Sequence, residues 1–278
     1  MKNKKPGLVA LVSTPIGNLG DITYRAVEYL KQADIIACED TRTTSLLLSH
    51  YQIKPKKLVS LYAQTESKNS LALVKEVKEK DLKLAYCSDA GMPGISDPGS
   101  LLVKTAIDED VPVSILPGPN AALSALVISG LDTADFSFFG FLPTKAGNIK
   151  AFLKKLATRE ETLIFYESPN RVEATLNIMK EIFGEDRKFT LVRELTKIYE
   201  EAIRGKLKDA ASLVSGIKGE CVILIDGFKG EKEVDTASLK KEIKKLLKEG
   251  KPLKEVSKEL ASKYDLKKNY VYDLGLEL

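Results

Sequence analysis

The sequence predicts an α/β protein made of two α/β domains and a small C-terminal helical module of helix-turn-helix type. In residues 1–132, apolar runs typical of strands covered on both faces alternate with amphipathic helical patterns. Residues 133–230 change to aromatic-rich strands, which indicates a second, mixed α/β domain. After a charged linker, residues 236–278 are lysine-rich and carry apolar stripes at helical spacing.

The first domain is predicted to contain a largely parallel sheet. Its strands correspond to the apolar runs LVALVS, DIIACED, KLVSLY, KLAYCSD and VSILPG. In the first intervening helix, Ile22, Ala26 and Leu30 recur every fourth residue as a core stripe, with Asp21 as the expected N-cap. Sheets of this kind bind ligands beyond the carboxyl ends of their strands.

The loops that follow these five strands are unusually rich in Gly, Pro, Asp and Thr. They read STPIGNLGD, CEDTR, YAQTE, SDAGMPGISDPG and LPGPNAA, and all of them open on one rim of the predicted sheet. Glycine lets a backbone approach a ligand closely and proline fixes the shape of a loop, so we expect one shared site for an adenosine-sized molecule. Each loop taken alone is equally typical of a tight turn, but five on one rim favour the shared site.

The second domain is expected to use the strands DFSFFGFLP, TLIFYES, KFTLVREL and ECVILIDGF. FLPTKAGNIK is a candidate substrate-facing loop, because it brings Lys145 and Lys150 close to proline and glycine; an exposed linker is the alternative. In the C-terminal module, Leu239 and Ile243 begin one apolar stripe and Val256 and Leu260 belong to a second. Its lysines indicate nucleic-acid binding, whereas the apolar stripes leave a dimer contact open.

Composition excludes several classes of function. With 44% hydrophobic and 29% charged residues and a net charge of +4, the chain is typical of a globular protein, and no apolar run approaches the ~20 residues that span a bilayer, so we expect a cytoplasmic location without membrane association. Cys38, Cys87 and Cys221 lie in apolar stretches without C-x-x-C spacing, which predicts reduced thiols and no metal site. The chain also lacks a P-loop and a G-x-G-x-x-G motif after its first strand.

Longer motifs carry a family resemblance. The segments STPIGNLGDITYRAVEYLKQADIIACEDTR, SDAGMPGISDPG, LPGPNAALSAL, FYESPNR, RELTKIYEE and GECVILIDG, in this order, resemble ribosomal RNA small subunit methyltransferase I, a family of the tetrapyrrole methylase superfamily. The resemblance implies two α/β domains with the cofactor, S-adenosylmethionine, in the cleft between them. It also implies methylation of a cytidine 2'-oxygen in the decoding region of small-subunit (16S) ribosomal RNA. The implied partner is that RNA or the assembled small subunit.

The family motifs assign site residues to positions of this chain. Cofactor-binding positions are implied at Pro15, Gly17, Asp89, Ala90, Gly91, Ile95, Asn120 and Ala121. Substrate-binding positions are expected at Glu66, Tyr166, Glu167, Arg171 and Arg193. The residues of FYESPNR and RELTK belong to the second domain and should close the cleft.

Two departures from the family pattern concern the substrate side. Where relatives often have HEHNE after the third strand, this chain has YAQTE, with Tyr62 and Gln64 in place of the histidines. Asn170 stands where the YESPHR form has histidine. These side chains keep hydrogen-bonding capacity but cannot change charge as histidine does. A histidine proton shuttle after the third strand is therefore excluded.

Transfer of a methyl group to a ribose hydroxyl needs a proton acceptor or a group that stabilises the alkoxide. Carboxylates at the rim are the candidates: Glu39 and Asp40 rank first because CEDTR directly follows a strand, with Glu66 and Asp97 behind them. Arg42 and Lys197 are the expected electrostatic partners, completing the catalytic set Glu39, Asp40, Arg42 and Lys197. For each carboxylate a helix cap or a loop ion pair is the alternative.

Two other functions remain open from the sequence. The fold would equally suit methylation of a tetrapyrrole, and the loss of histidines is compatible with a non-catalytic RNA-binding ribosome factor that retains a degenerate cofactor cleft. The basic C-terminal module and the STPIGN and CEDTR loops favour RNA methylation. A homodimer is compatible with the sequence.

Overall fold

A computed structural model of the protein describes residues 7–230, 236–264, 266 and 268–278. The basic N-terminal stretch and the charged linker segment 231–235 lie outside the described residues. The chain divides into two compact units, Met1–Phe228 and Lys229–Leu278. The first unit contains two five-stranded sheets, and the second contains helices.

The first sheet is wholly parallel, as predicted. Its strands are β1 Leu8–Val12, β2 Ile35–Cys38, β3 Leu58–Ser60, β4 Lys83–Cys87 and β5 Val113–Leu116. They pair in the order β3-β2-β4-β1-β5. The central strands β1, β2 and β4 are buried along almost their whole length, which explains why they read as continuous apolar runs.

Five helices accompany the first sheet. They are α1 Tyr24–Gln32, α2 Thr41–His50, α3 Ala63–Lys80, α4 Ser100–Asp108 and α5 Ala121–Ser129. Ala26 and Leu30 of α1 are buried as the spacing predicts. The N-cap predicted at Asp21 is wrong: α1 begins later, and the hydroxyl of Thr23 accepts the N–H of Ala26 at 3.1 Å. Asp21 lies instead in a short 3-10 turn.

The second sheet is mixed. It contains β6 Phe136–Phe141, β7 Thr162–Glu167, β8 Lys188–Arg193, β9 Glu201–Lys206 and β10 Cys221–Ile225, in the order β6-β7-β10-β8-β9. Only the β6–β7 pair is parallel. The helices α6 Ala146–Lys154, α7 Pro169–Phe183 and α8 Ala210–Leu213 connect these strands. The strand β9 was not predicted, because its residues EAIRGK are polar and only partly buried at the sheet edge.

Each face of the two sheets buries its own apolar cluster. One face of the second sheet packs on α6 and α7 around Phe165 and Met179. Its other face packs on α5, where Leu126 and Leu224 belong to one cluster that also includes Ile16 from the loop after β1. Helix α5 and the loop after β1 thereby connect the second sheet to the rim of the first, where the strand-end loops emerge. The predicted change of domain at residues 132–133 falls between α5 and β6 and stays a prediction.

The C-terminal unit consists of α9 Thr236–Lys248, α10 Leu253–Tyr264 and α11 Lys268–Leu276. The two predicted apolar stripes, represented by Ile243 and Leu260, pack against each other in one small core. The helices α9 and α10 are separated at Gly250 and Pro252, as expected for residues that interrupt helices. None of the helices in the described ranges is long and apolar enough to cross a membrane.

Candidate active site

The rim between the two sheets holds a cavity of about 270 Å³, here called the main cavity. One wall comes from the loops after β1, β4 and β5, and the other comes from the ends of β6, β7 and β10 and the loop after β8. Of the predicted site residues, seven line it: Ala90, Gly91, Ile95, Asn120, Ala121, Tyr166 and Glu167. Five of these residues lie in loops of the first sheet, whereas Tyr166 and Glu167 lie at the end of β7, so the fold brings together positions up to 77 apart in the chain, as 90 and 167 are.

The remaining predicted cofactor residues lie elsewhere. Pro15, Gly17 and Asp89 line a second cavity, also about 270 Å³, which we call the side cavity. Its other walls come from the start of α2, including Thr43 and Thr44. The predicted cofactor residues of the loop after β4 are divided between the two cavities. Asp89 lines the side cavity, while Ala90 and Gly91 line the main cavity.

The loop after β4 is held at both ends. Near its start, Thr14 and Gly91 form a backbone bridge, with N–H to oxygen distances of 2.9 and 3.1 Å. The Thr14 hydroxyl also donates to the carbonyl oxygen of Ser88 at 3.3 Å. Hydrogen bonds to Thr14 therefore fix the start of this glycine-, proline- and aspartate-rich loop to the segment that follows β1.

Glu66 holds the other end of that loop. Its side chain is buried, and Oε1 accepts the backbone N–H groups of Gly99, Leu101 and Leu102 at 2.9, 3.1 and 3.0 Å. These N–H groups open helix α4, which has no side-chain cap of its own. The contacts make Glu66 a cap for α4, and its expected contact with the substrate stays a prediction.

The loop between β8 and β9, residues 194–200, closes over the loop after β1. The backbone N–H of Asn18 donates to the Thr196 hydroxyl at 3.1 Å. A Cβ added to Gly17 would lie 2.5 Å from Lys197 Cγ, so the absence of a side chain at position 17 is what admits Lys197. Lys197 Nζ itself pairs with Glu194 and Glu220, each at 2.9 Å. Both walls of the site are thus joined by direct contacts.

Asp40 and Arg42 form an ion pair with each other. Arg42 Nη2 lies 2.6 Å from Asp40 Oδ2, and the Arg42 backbone N–H donates to Asp40 Oδ1 at 2.8 Å, which caps α2. Hydrogen bonds from Arg42 lower the pKa of Asp40 to about 2. A carboxylate so well stabilised in its charged form is a poor proton acceptor. The backbone N–H of Asp40 also donates to Asp89 Oδ1 at 3.2 Å, linking the loops after β2 and β4.

Three other carboxylates, those of Glu39, Asp89 and Asp97, have raised pKa values, in contrast to Asp40. Burial, followed by the charge of Asp89, raises the pKa of Glu39. Burial also raises the pKa of Asp89, and burial with the charges of Glu39 and Asp89 raises that of Asp97 to about 6. Asp97 lines the main cavity and has no hydrogen bond or ion pair from any residue that the structure describes. It is the carboxylate best placed to take up a proton there.

The predicted substrate residues of the second domain are tied into the protein. The buried carboxylate of Glu167 accepts the Thr175 hydroxyl at 2.8 Å and pairs with Arg171 at 3.3 Å. Arg171 Nη2 also donates to the carbonyl oxygen of Pro143 at 2.7 Å. Arg193 pairs with Glu201 at 2.8 Å across the β8–β9 ladder. Tyr166 and Glu167 line the main cavity, whereas Arg171 and Arg193 are not among its lining residues.

Several lining residues were not predicted. Leu195 reaches the cavity from the loop after β8, Cys221 and Val222 from the start of β10, and Phe141 from the end of β6. Sequence gives no signal for the first three, because apolar residues at strand ends are usual. The glycine inside the aromatic run FSFFGF was a usable signal for Phe141, since glycine in a strand pattern indicates a bulge.

The main cavity suits S-adenosylmethionine chemically. Its walls are largely apolar, as a purine requires. Three acidic residues line it, but Glu167 pairs with Arg171 and Glu220 pairs with Lys197. Asp97 is the lining carboxylate that no described cation neutralises, and it can stabilise a positively charged ligand such as a sulfonium. Within the described ranges there is no group of His, Cys, Asp and Glu that could hold a metal ion.

Comparison with known proteins places this architecture in a family. The sequence profile of the Tetrapyrrole (Corrin/Porphyrin) Methylases matches residues 8–211, which include both sheets apart from β10. The chain belongs to the tetrapyrrole methylase family. This membership confirms the predicted fold class and supports S-adenosylmethionine as the cofactor.

Three curated relatives of this tetrapyrrole methylase are named ribosomal RNA small subunit methyltransferase I. The protein from Streptococcus pyogenes serotype M1 is 42% identical over 98% of this chain and 96% of its own length. The one from Halalkalibacterium halodurans is 46% identical over 81% of this chain and 78% of its own. The one from Haemophilus influenzae is 40% identical over 97% and 96%. The resemblance seen in the sequence motifs is thereby confirmed.

Solved structures share the tetrapyrrole methylase fold at much lower identity. Diphthine synthase matches with a TM-score of 0.60 and 14% identity, over 79% of this chain and 90% of that one. Uroporphyrin-III C-methyltransferase from Thermus thermophilus, complexed with S-adenosylhomocysteine, matches with a TM-score of 0.56 and 17% identity, over 79% and 97%. At these identities the likeness concerns the fold alone.

Proposed function

We propose that this tetrapyrrole methylase transfers a methyl group from S-adenosylmethionine to the 2'-oxygen of a cytidine in the decoding region of small-subunit ribosomal RNA. The observation that carries the proposal is the main cavity, lined by the loops of the first sheet and by the second sheet, in a chain about 40% identical to proteins named ribosomal RNA small subunit methyltransferase I. Small ribosomal subunits are cytoplasmic, so the proposal includes a cytoplasmic location.

The cofactor would be held by the loops after β4 and β5. Bound S-adenosylmethionine supplies a methyl group already activated by its sulfonium, so the protein has to align donor and acceptor. The backbone around Ala90 and Gly91 is fixed by the bridge to Thr14, and Asn120 caps α5 by accepting the Leu123 N–H at 2.9 Å. Both segments thus offer a rigid surface to the ligand.

Asp97 is our first choice for the group that accepts the ribose proton, with Glu39 second. Asp97 borders the main cavity, is free of ion pairs among the described residues and has a raised pKa, whereas Asp40 is neutralised by Arg42. This ordering departs from the sequence-based one, which ranked Glu39 and Asp40 first. A general base typically contributes ~10²- to 10⁴-fold to the rate.

RNA would be bound by the second sheet and the C-terminal unit. On α9, Lys241, Lys244 and Lys248 recur on one helical face, are exposed and form no ion pair with a described residue. Such a row can neutralise phosphates. The apolar stripes were the alternative candidates for a dimer contact, but they pack in the core of the C-terminal unit itself. This favours contact between RNA and the exposed lysines of that unit.

The deciding experiment is mass spectrometry of ribosomal RNA from a strain lacking the gene, with and without its restoration. Loss of a single 2'-O-methylcytidine, regained with the wild-type gene, is the expected result. If the RNA is unchanged while a tetrapyrrole intermediate loses a methyl group, the protein acts on tetrapyrroles. If no methyl group changes but small-subunit assembly is impaired, it is a non-catalytic factor.

A further inference from the structure

The end of strand β6 contains a bulge. Phe138 lies opposite Ile164 in the pairing with β7, but Phe141 lies opposite Tyr166, so two residues of β6 stand against one of β7. Gly140, inside this step, has a φ of 65°, the left-handed conformation that glycine adopts without strain. The arrangement is that of a β-bulge with glycine at the irregular position.

The bulge decides which way Phe141 points. Side chains alternate along a strand, so without it Phe141 would share the face of Phe139, whose ring stacks on Phe165 at 5.3 Å in the core. With the extra residue, Phe141 joins Phe138 on the opposite face. Both rings then pack edge-to-face on Tyr166, at 5.5 and 4.9 Å respectively. One glycine therefore turns an aromatic ring from the core into the main cavity.

The ring is fixed in place but uncovered. A Cβ on Gly140 would lie 3.0 Å from the Ser96 hydroxyl, so the strand end rests against the loop after β4. Just beyond Phe141, Arg171 Nη2 donates to the Pro143 carbonyl oxygen at 2.7 Å. Phe141 nevertheless remains 63% exposed on the rim of the main cavity. A rigid support with an exposed aromatic face is what stacking on a planar ligand requires.

The surroundings indicate the chemistry of that ligand. Lys145 follows four residues later, is exposed and forms no ion pair with a described residue, so the segment that carries the ring also carries a cation available to an anionic group. A planar apolar face next to a phosphate is the pattern of a nucleotide, and proteins hold unpaired bases by aromatic stacking. Resting on the proposed function, we infer that Phe141 stacks a nucleobase of the RNA substrate at the mouth of the main cavity.

Tryptophan fluorescence tests this directly, because the chain has no tryptophan of its own. F141W places a single reporter at the rim, and F136W places one at the other end of the same strand, where Phe136 is 42% exposed but does not line the cavity. A single-stranded RNA of decoding-region sequence should quench F141W and leave F136W unchanged. Quenching by S-adenosylhomocysteine alone would overturn the inference, since the ring would then stack the cofactor's adenine.

Steady-state methylation of small ribosomal subunits supplies the second readout. F141A should raise the KM for subunits roughly ten-fold or more, with S-adenosylmethionine affinity unchanged, while F136A behaves as wild type. F141W should restore the KM and F141L should not, because leucine is apolar but cannot stack. An unchanged KM in F141A, or full rescue by leucine, overturns the stacking role. Failure of the wild-type protein to methylate the RNA would instead reject the proposed function.

Discussion

Lys197 packs directly over Gly17, so that a single added methyl group at position 17 would lie 2.5 Å from Lys197 Cγ and 3.0 Å from the Leu195 carbonyl oxygen. The family resemblance implied that Gly17 binds the cofactor. The structure shows that the partner which needs this space is a loop of the second sheet. The two walls of the site meet at this contact.

We expect G17A to destabilise the protein by about 1–3 kcal/mol, because the loop 194–200 must move to admit the new Cβ. Gly147 is a matched control: it lies in helix α6, and nothing stands within 4 Å of a Cβ there. G147A should be neutral or stabilising by up to about 1 kcal/mol. Urea unfolding of both variants measures the difference. Equal stability of G17A and wild type would mean that the loop adapts without cost.

The buried carboxylate of Glu66 gives a second prediction. E66A leaves three backbone N–H groups at the start of α4 without their acceptor and should lower the free energy of unfolding by about 3 kcal/mol. E66Q keeps one oxygen acceptor and should lose less. Glu79 is exposed on the same helix, so E79A should stay within about 0.5 kcal/mol of wild type. Full stability of E66A with weaker RNA binding would return Glu66 to the substrate site.

The ranking of proton acceptors is tested by turnover. D97N should reduce single-turnover methylation by ~10²- to 10⁴-fold while cofactor affinity persists, and D40N should reduce it far less. Since the pKa of Asp97 is raised to about 6, the wild-type rate should rise with pH up to about that value and then level off. Calorimetry with S-adenosylhomocysteine checks that binding is retained. A rate in D97N within threefold of wild type would assign the proton to another group.

Asp97 also links stability to pH. Because its pKa is higher in the folded protein than the ordinary 3.8, the folded state holds the proton more tightly than the unfolded state between that value and about 6. The contribution of Asp97 to the free energy of unfolding therefore falls as pH rises through this window. D97N should be more stable than wild type at pH 7 and lose that advantage at pH 3.5. The difference between the two proteins, followed by urea unfolding, isolates this group from the other carboxylates.

Removal of the C-terminal unit should separate RNA binding from cofactor binding. A chain ending at residue 230 retains every residue that lines the main cavity and should bind S-adenosylhomocysteine as wild type does. Its affinity for RNA should fall, and the plot of log affinity against log salt should become shallower by roughly one unit for each phosphate that the shortened chain no longer binds. An unchanged slope with a halved molar mass would instead assign the unit to dimer formation.

The parts predicted correctly from sequence are those that depend on local patterns. The five strands of the first sheet were found from their apolar runs. β1, β2 and β4 are buried on both faces as expected, but the edge strands β3 and β5 are largely half-buried or exposed, so that part of the expectation was wrong. The C-terminal stripe of Leu239 and Ile243 was found from its helical spacing. The order of strands in the sheets was beyond such reasoning, since it depends on contacts between distant segments. The edge strand β9 was missed for the same reason: only its partner β8 makes it a strand.

The site was predicted only in part, because local patterns locate loops but do not show which side chains contact one another. Strand-end loops can be located by their glycines and prolines, and within those loops the family resemblance implied Ala90, Gly91 and Ala121, which line the cavity. What each charged group does there depends on its partner, which sequence does not reveal: Asp40 meets Arg42, and Asp97 meets neither lysine nor arginine among the described residues. A sequence shows which residues are carboxylates, but the residues that contact each carboxylate are known only once the fold is known.

The strand order of the second sheet has a consequence for synthesis on the ribosome. All five strands of the first sheet are complete by Leu116, so that sheet can form while the rest of the chain is still being made. In the second sheet, the last strand in sequence, β10, lies between β7 and β8, and it carries Cys221 and Val222 of the cavity wall. Until residue 225 has left the exit tunnel, β7 and β8 have no strand to join them. A nascent chain thus gains its ligand pocket only after nearly all of the first unit has been translated.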